Sequence, residues 1–269
     1  MSILLDVLIL INKHMELSNK DKAEAIQNSI ETETLAEIGL IHPESYKQHN
    51  PNVATGLQAI LALHEQMPME KVYTNVVRKF QDGDIGFVHV DYFLFEHTAA
   101  FDIHRFENGV SVEHWDNLQT NSRKLNKSGR TMTDGKTKAV DHHKTDDNKR
   151  LAQNFVKNVL VNGQIDLVSA YFRNDELIQH NPYMGDGVQE FLNVLAQWKK
   201  DGKPQIYNKI HKVLGEGNFV LVLSEGSFWG EHAAFYDLYR IEQDKIVEHW
   251  DVIEAIPEQK KRKNDNGKF

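Results

Sequence analysis

The sequence predicts an α+β protein built from two copies of one domain. Three observations carry this: a long internal repeat, helix-spaced apolar residues early in each copy, and a series of β-branched and aromatic segments after them.

The repeat comes first. "QHNP" occurs at 48–51 and again at 179–182, each time followed by a glycine, Gly56 or Gly187. "EHTAAFDIHRFENGVSVEHWD" (96–116) matches "EHAAFYDLYRIEQDKIVEHWD" (231–251), and both end in the same "VEHWD". Copies this far apart are a duplicated domain, not solenoid repeats. The expected boundaries are 17–119 for the first domain and 148–257 for the second, joined by a polar, basic, glycine-containing linker at 120–147. The tail 258–269 is polar throughout. The basic clusters of linker and tail read as solvated surface, and His142-His143 has no further ligands at metal-binding spacing.

Within a copy, helices precede strands. Leu151, Phe155, Val159 and Leu160 recur at helical spacing after the capping candidates Thr145, Asp146 and Asp147, and Gly163 stops that helix. Leu167, Val168, Tyr171 and Phe172 give a second short apolar face. Asp186 is placed to cap a third helix with the stripe Val188, Phe191, Leu192 and Leu195, echoed by Leu57, Ile60, Leu61 and His64. Four strand segments follow at 205–214, 218–229, 232–241 and 245–256, divided by glycine and acidic turns. Three helices on one face of an antiparallel sheet that curls make a concave small-molecule pocket.

Bulk properties narrow the partners. The net charge is −8, which argues against a nucleic-acid binder. There is no cysteine, which fits a reducing cytoplasm and excludes a thiol nucleophile. The apolar start, 1–17, is interrupted by Asp6 and too short to span a membrane; it reads as an extra packing helix or a dimer contact.

The last hairpin carries most of the ionisable residues, so its register matters. A two-residue turn through Asn108-Gly109 splits the charged residues between faces. A three-residue loop with a bulged Gly109 pairs Asp102 with His114 and Ala100 with Asp116. The second register is the favoured one. It gathers Asp102, His104, His114 and Asp116 on one face, and Asp237, Tyr239, His249 and Asp251 in the second copy.

Two carboxylates and an imidazole on a half-buried face suit acid/base chemistry. Burial and mutual repulsion raise one carboxyl pKa, so one group can donate a proton while the other accepts. The same residues also suit a buried polar network, with Arg105 or Arg240 pairing Glu113 or Glu248. His49 and His180 of "QHNP", and His97 and His232 at a strand start, are candidates for the pocket mouth, with local backbone bonding as the alternative. No chelating spacing supports a metal, so none is expected.

These residues resemble a known family. "QHNP…G", "HKVLGEGNFVLVLSEG" and "YDLYRIEQDKIVEHWD" are similar to the SnoaL-like polyketide cyclases of the nuclear-transport-factor-2-like superfamily. "SGRTMTDG" and "NDNGKF" resemble segments of two-copy members described as aldol-condensation-catalysing. The resemblance implies tandem cone-shaped α+β barrels and cofactor-free chemistry. It makes Asp251 and Asp116 the acid/base residues. Ketosteroid isomerase, a relative, implies oxyanion donors at Asp237 and Asp102, with His249 and His114 beside them. His211 and Tyr239 join the other histidines as ligand contacts. The first half has Val77 where the second has His211, and "FVHVDYF" in place of "LVLSEGS", so the second half is expected to be the active one. The expected function is an enolate-type lyase or isomerase acting on an apolar carbonyl compound. The alternative is a non-catalytic ligand-binding protein. The copies are expected to form an internal pseudo-dimer, and a homodimer of whole chains is left open.

Overall fold

The computed structural model describes residues 16–32, 35–66, 72–93, 96–120 and 125–269. The segment expected as an N-terminal packing helix lies outside them up to residue 15. The chain divides into two compact units. The first runs to Asp116 and includes Pro257–Lys268; the second is Asn117–Ile256 with Phe269.

The first unit contains helices α1 (Asn19–Thr32), α2 (Leu35–Ile38) and α3 (Leu57–Glu65), with strands β1 (Lys47–Gln48), β2 (Tyr73–Asp82), β3 (Ile85–Phe93), β4 (His97–Glu107) and, up to Asp116, β5 (Val110–Thr120). The second contains α4 (Thr145–Phe155) continued by a π-helical turn (Val156–Val161), a 3-10 segment (Ile165–Ala170) and α5 (Val188–Lys200). Its strands are β6 (Ile178–Gln179), β7 (Gln205–Glu216), β8 (Phe219–Phe228), β9 (Glu231–Glu242) and β10 (Lys245–Ala255). The sheets have the same plan, β1-β5-β4-β3-β2 and β6-β10-β9-β8-β7. The class is α+β, as the sequence predicts. The short parallel strands β1 and β6 are an addition to the expected meander.

Local chemistry sets the helix ends. Ser18 Oγ accepts from the Asp21 backbone N–H at 3.3 Å at the start of α1 and donates to the Asp21 carboxylate at 2.5 Å. Gly163, at φ +69°, ends the helical stretch that starts at α4. Two capping expectations are corrected. Thr145 is the first residue of α4 rather than its cap, with Asp146 and Asp147 in the first turn. Asp175, not Asp186, accepts from the Gln189 N–H at the start of α5, because Arg130 and the Gln179 N–H already hold Asp186.

The core of the second unit lies between its helices and one face of the sheet. Phe155, Val159, Phe172 and Phe191 meet Val220, Val222, Phe235 and Tyr239 there.

The hairpin register also needs correction. Gln243 (φ 50°) and Asp244 (φ 59°) are both left-handed, as are Asn108 (φ 50°) and Gly109 (φ 84°), the signature of a two-residue turn. The extra residue of the second hairpin sits inside β10, between Ile246 and Glu248. Past that bulge Asp251 pairs with Asp237, and His249 with Tyr239. The pairing differs from the expected one, yet the same side chains share a face. Among the described residues no helix is long and apolar enough to cross a membrane.

Candidate active site

The parallel β6–β10 pairing lays "QHN" against "EHWD". Each of its three residues holds a different partner. Gln179 Oε1 accepts from His249 Nδ1 at 3.0 Å, His180 Nε2 meets Glu248 Oε1 at 2.9 Å, and Asn181 Nδ2 donates to Asp251 Oδ2 at 2.7 Å. The backbone N–H groups of His180 and Asn181 also donate to Gln179 Oε1, which fixes the amide orientation. The first unit repeats the scheme: Gln48 with His114 at 3.0 Å, His49 with Glu113 at 2.8 Å, Asn50 with Asp116 at 2.6 Å. Sequence reasoning singled out the histidine of "QHNP" and missed its glutamine and asparagine. Their repetition beside the histidine was the available signal.

On the concave face of the second unit, His249 Nε2 lies 3.0 Å from Asp237 Oδ1. The Tyr207 hydroxyl donates to both Asp237 oxygens, at 3.1 and 3.2 Å. Tyr239 stacks on His249 at 4.9 Å. These residues and Asp251 line a cavity of about 800 Å³ whose walls include Phe155, Phe172, Leu177, Met184 and Phe191. Asp251 is buried, and its Oδ1 has no hydrogen-bond partner among the described residues. Burial pushes its carboxyl up to about 6; Asp237 adds to the rise, while His249 and Asn181 oppose it. Burial disfavours the His249 imidazolium, but the hydrogen bond to Asp237 and the two aspartates outweigh it, so His249 titrates above its ordinary value.

The opposite face is structural. Glu248 sits between His180 and Arg240, whose Nε donates to Oε2 at 2.5 Å. The His180 ring stacks on Trp250 at 4.7 Å and 11°. The segment expected to be a polar linker closes over this network. His180 Nδ1 donates toward Thr131 O, and Trp250 Nε1 donates to Asp134 O at 2.8 Å. At Gly135 (φ +93°) a Cβ would stand 2.3 Å from Glu248 Oε1 and 3.0 Å from His180 Nε2, so only glycine fits.

Several candidate ligand contacts are therefore corrected. His180 and His49 are not at the pocket mouth. Side chains alternate along the chain, so Gln179 and Gln48 turn inward and the histidines outward. His211 and His232 both bond Glu225 at 2.8 Å, and neither lines the cavity. His232 alternates with the inward Ala233 and Phe235. His97, on the outward register of β4, packs edge-on against Phe93 at 4.8 Å. Tyr239 does line the cavity.

The first unit keeps the trio but fills its surroundings. His114 Nε2 lies 3.2 Å from Asp102 Oδ1. The Tyr92 hydroxyl lies 2.9 Å from Asp102 Oδ2 and 2.5 Å from Gln27 Oε1, and Gln27 Nε2 reaches His104 at 3.2 Å. Burial raises the Asp102 carboxyl, although the His114 hydrogen bond opposes the rise. Burial also holds His104 well below its ordinary value. The tail completes this unit. Asn264 and Asn266 donate to backbone oxygens of Asn50 and Gln48, His49 Nδ1 donates to Gly267 O at 2.8 Å, and Lys268 Nζ lies 3.6 Å from Asp116 Oδ1.

Asp237, His249 and Asp251 place donor atoms within 4.8 Å of one another, as do Asp102, His114 and Asp116. Either trio could hold a divalent cation, where the sequence reading expects none. The hydrogen bond between His249 and Asp237 equally suits proton transfer.

No protein-family model matches the chain, and no curated protein matches it. Solved structures do. TsrD from Streptomyces laurentii is 16% identical, with 39% of this chain and 92% of that one covered at a TM-score of 0.32. An NTF2-like protein from Cytophaga hutchinsonii is 14% identical, covering 39% and 92% at 0.35. A Mycobacterium tuberculosis LEH-like epoxide hydrolase is 18% identical, covering 41% and 85% at 0.34.

Proposed function

We propose that this protein is a small-molecule enzyme of the SnoaL-like type. Its second unit carries out metal- and cofactor-independent enolate chemistry, an intramolecular aldol cyclisation or an isomerisation of a carbonyl compound. The observation that carries the reading is Asp251: one oxygen held by Asn181, the other without a hydrogen-bond partner among the described residues, in a largely apolar cavity, with a pKa of about 6.

Ionised Asp251 takes the proton next to the substrate carbonyl. The His249 imidazolium, its Nδ1–H held by Gln179 and its Nε2–H by Asp237, stabilises the enolate oxygen that forms through its positive charge. In an aldol closure the enolate carbon attacks a second carbonyl of the same molecule. The new alkoxide then takes the proton back from Asp251, so the residue ends as it began. In an isomerisation the proton returns to a different carbon. Both groups are in the required state between the Asp251 midpoint, about 6, and the higher His249 midpoint. The two units are read as a duplicated domain, the first kept as scaffold, because Gln27, Tyr92 and Lys268 occupy the surroundings of its trio.

The test follows deuterium uptake at the α-carbons of apolar ketones and 1,3-diketones in D₂O by NMR. Wild type and Asp116→Asn are expected to accelerate exchange, and Asp251→Asn to lose at least 100-fold. Exchange that survives Asp251→Asn unchanged would falsify the mechanism.

A further inference from the structure

The cavity of the second unit is graded from floor to mouth. Its floor holds buried Asp237, His249 and Asp251. Its walls are aromatic and aliphatic. Its mouth is marked by exposed lining residues, Asn162, Ile165, Lys199 and Ile206. Among the described residues that line it, Lys199 is the one lysine or arginine.

Lys199 is in the last turn of α5, where a lysine complements the helix dipole, and Lys200 has the same claim to that role. Only Lys199 also lines the cavity. No carboxylate among the described residues pairs with its ammonium, whereas Lys127 and Arg130 of the same unit each have an acidic partner. The surrounding charge makes this cation distinctive. The chain carries −8 overall, and the floor's two aspartates outnumber its one histidine, so a ligand carboxylate is favoured at the mouth over the deep end. A ligand with one anionic end therefore has a single favourable orientation, charge at the mouth and opposite end at Asp251.

We infer that the second unit takes an amphiphilic carboxylate: an apolar body with a carbonyl end at Asp251 and a carboxylate at Lys199. This rests on the cavity being the functional site, and it narrows the substrate class beyond an apolar carbonyl compound. A volume of about 800 Å³ suits such a molecule of drug-like size. Because the ion pair lies at an exposed rim, its effect is modest and salt-dependent.

The experiment compares a fluorescent polyene fatty acid, cis-parinaric acid, with its methyl ester, titrated into the full-length chain. Wild type is expected to bind the acid about three- to fivefold tighter than the ester at low ionic strength, with the gap closing in 0.5 M salt. Lys199→Met is expected to equalise the two, and Lys199→Glu to favour the ester. Lys200→Met is expected to leave the preference intact. Equal binding of acid and ester by wild type, failure of both to bind, or an acid preference that persists in Lys199→Glu would overturn the inference. So would loss of the preference in Lys200→Met. Binding is read without turnover, so a failed proton-exchange test leaves this one intact, and the reverse holds.

Discussion

Asn181 Nδ2 donates to Asp251 Oδ2 at 2.7 Å, and the other carboxylate oxygen has no hydrogen-bond partner among the described residues. A buried carboxyl raised from 3.8 to about 6 makes stability depend on pH. The native state holds this proton more tightly than the unfolded chain, so the acid is well tolerated below pH 4. The cost grows as pH rises through the interval and is complete above about 6. The shift corresponds to about 3 kcal/mol. Asp251→Asn removes that cost. In urea titrations the variant is expected to gain about 2–3 kcal/mol on wild type between pH 4 and pH 8. An unchanged difference would show that Asp251 titrates normally.

Gln179 fixes Nδ1 of His249 as a donor, so the proton that makes the ring an imidazolium is the one that Nε2 donates to Asp237. Gln179→Leu removes the acceptor that favours the imidazolium. The high-pH limb of proton-exchange activity is expected to move to lower pH, with kcat reduced about 10-fold or more and KM little changed. A variant that alters only stability would argue that Gln179 merely joins β6 to the sheet.

Much of this site was legible in the sequence, and the gaps have physical causes. The face shared by Asp237, Tyr239, His249 and Asp251 follows from strand alternation. The wrong turn type did no harm to it, because a bulge within β10 supplies the extra residue that the loop was expected to supply. The orientation of "QHNP" was not legible. It depends on a two-residue parallel strand too short to leave a periodic signal. The closing segments were hidden for a related reason: the linker and tail use polar side chains and backbone to bond backbone oxygens of buried residues and the buried histidines, and polar composition alone reads as a surface linker and tail.

His180 is expected to be structural. His180→Ala removes a partner of buried Glu248 and the ring stacked on Trp250. The expected loss is about 2–4 kcal/mol in chemical denaturation, with KM for any accepted substrate within twofold of wild type. A large rise in KM with stability intact would return His180 to the ligand.

Lys268 and Asp116 are both nearly excluded from solvent, at 2% and 7% side-chain exposure. Lys268→Met leaves Asp116 without that counter-charge and is expected to cost about 2–4 kcal/mol. Adding Asp116→Asn is expected to recover at least half of the loss, and proton exchange in the second unit is expected to persist. Strict additivity in this double-mutant cycle would mean that the pair does not interact.

The most direct measurement is the titration of the Asp251 side-chain carboxyl by carbon-detected NMR, assigned by comparison with Asp251→Asn. A midpoint near 6 that moves upward in Asn181→Ala, where the opposing hydrogen bond is gone, is the expected result. A midpoint at or below 4, unmoved by Asn181→Ala, would contradict a carboxylate poised to move a substrate proton.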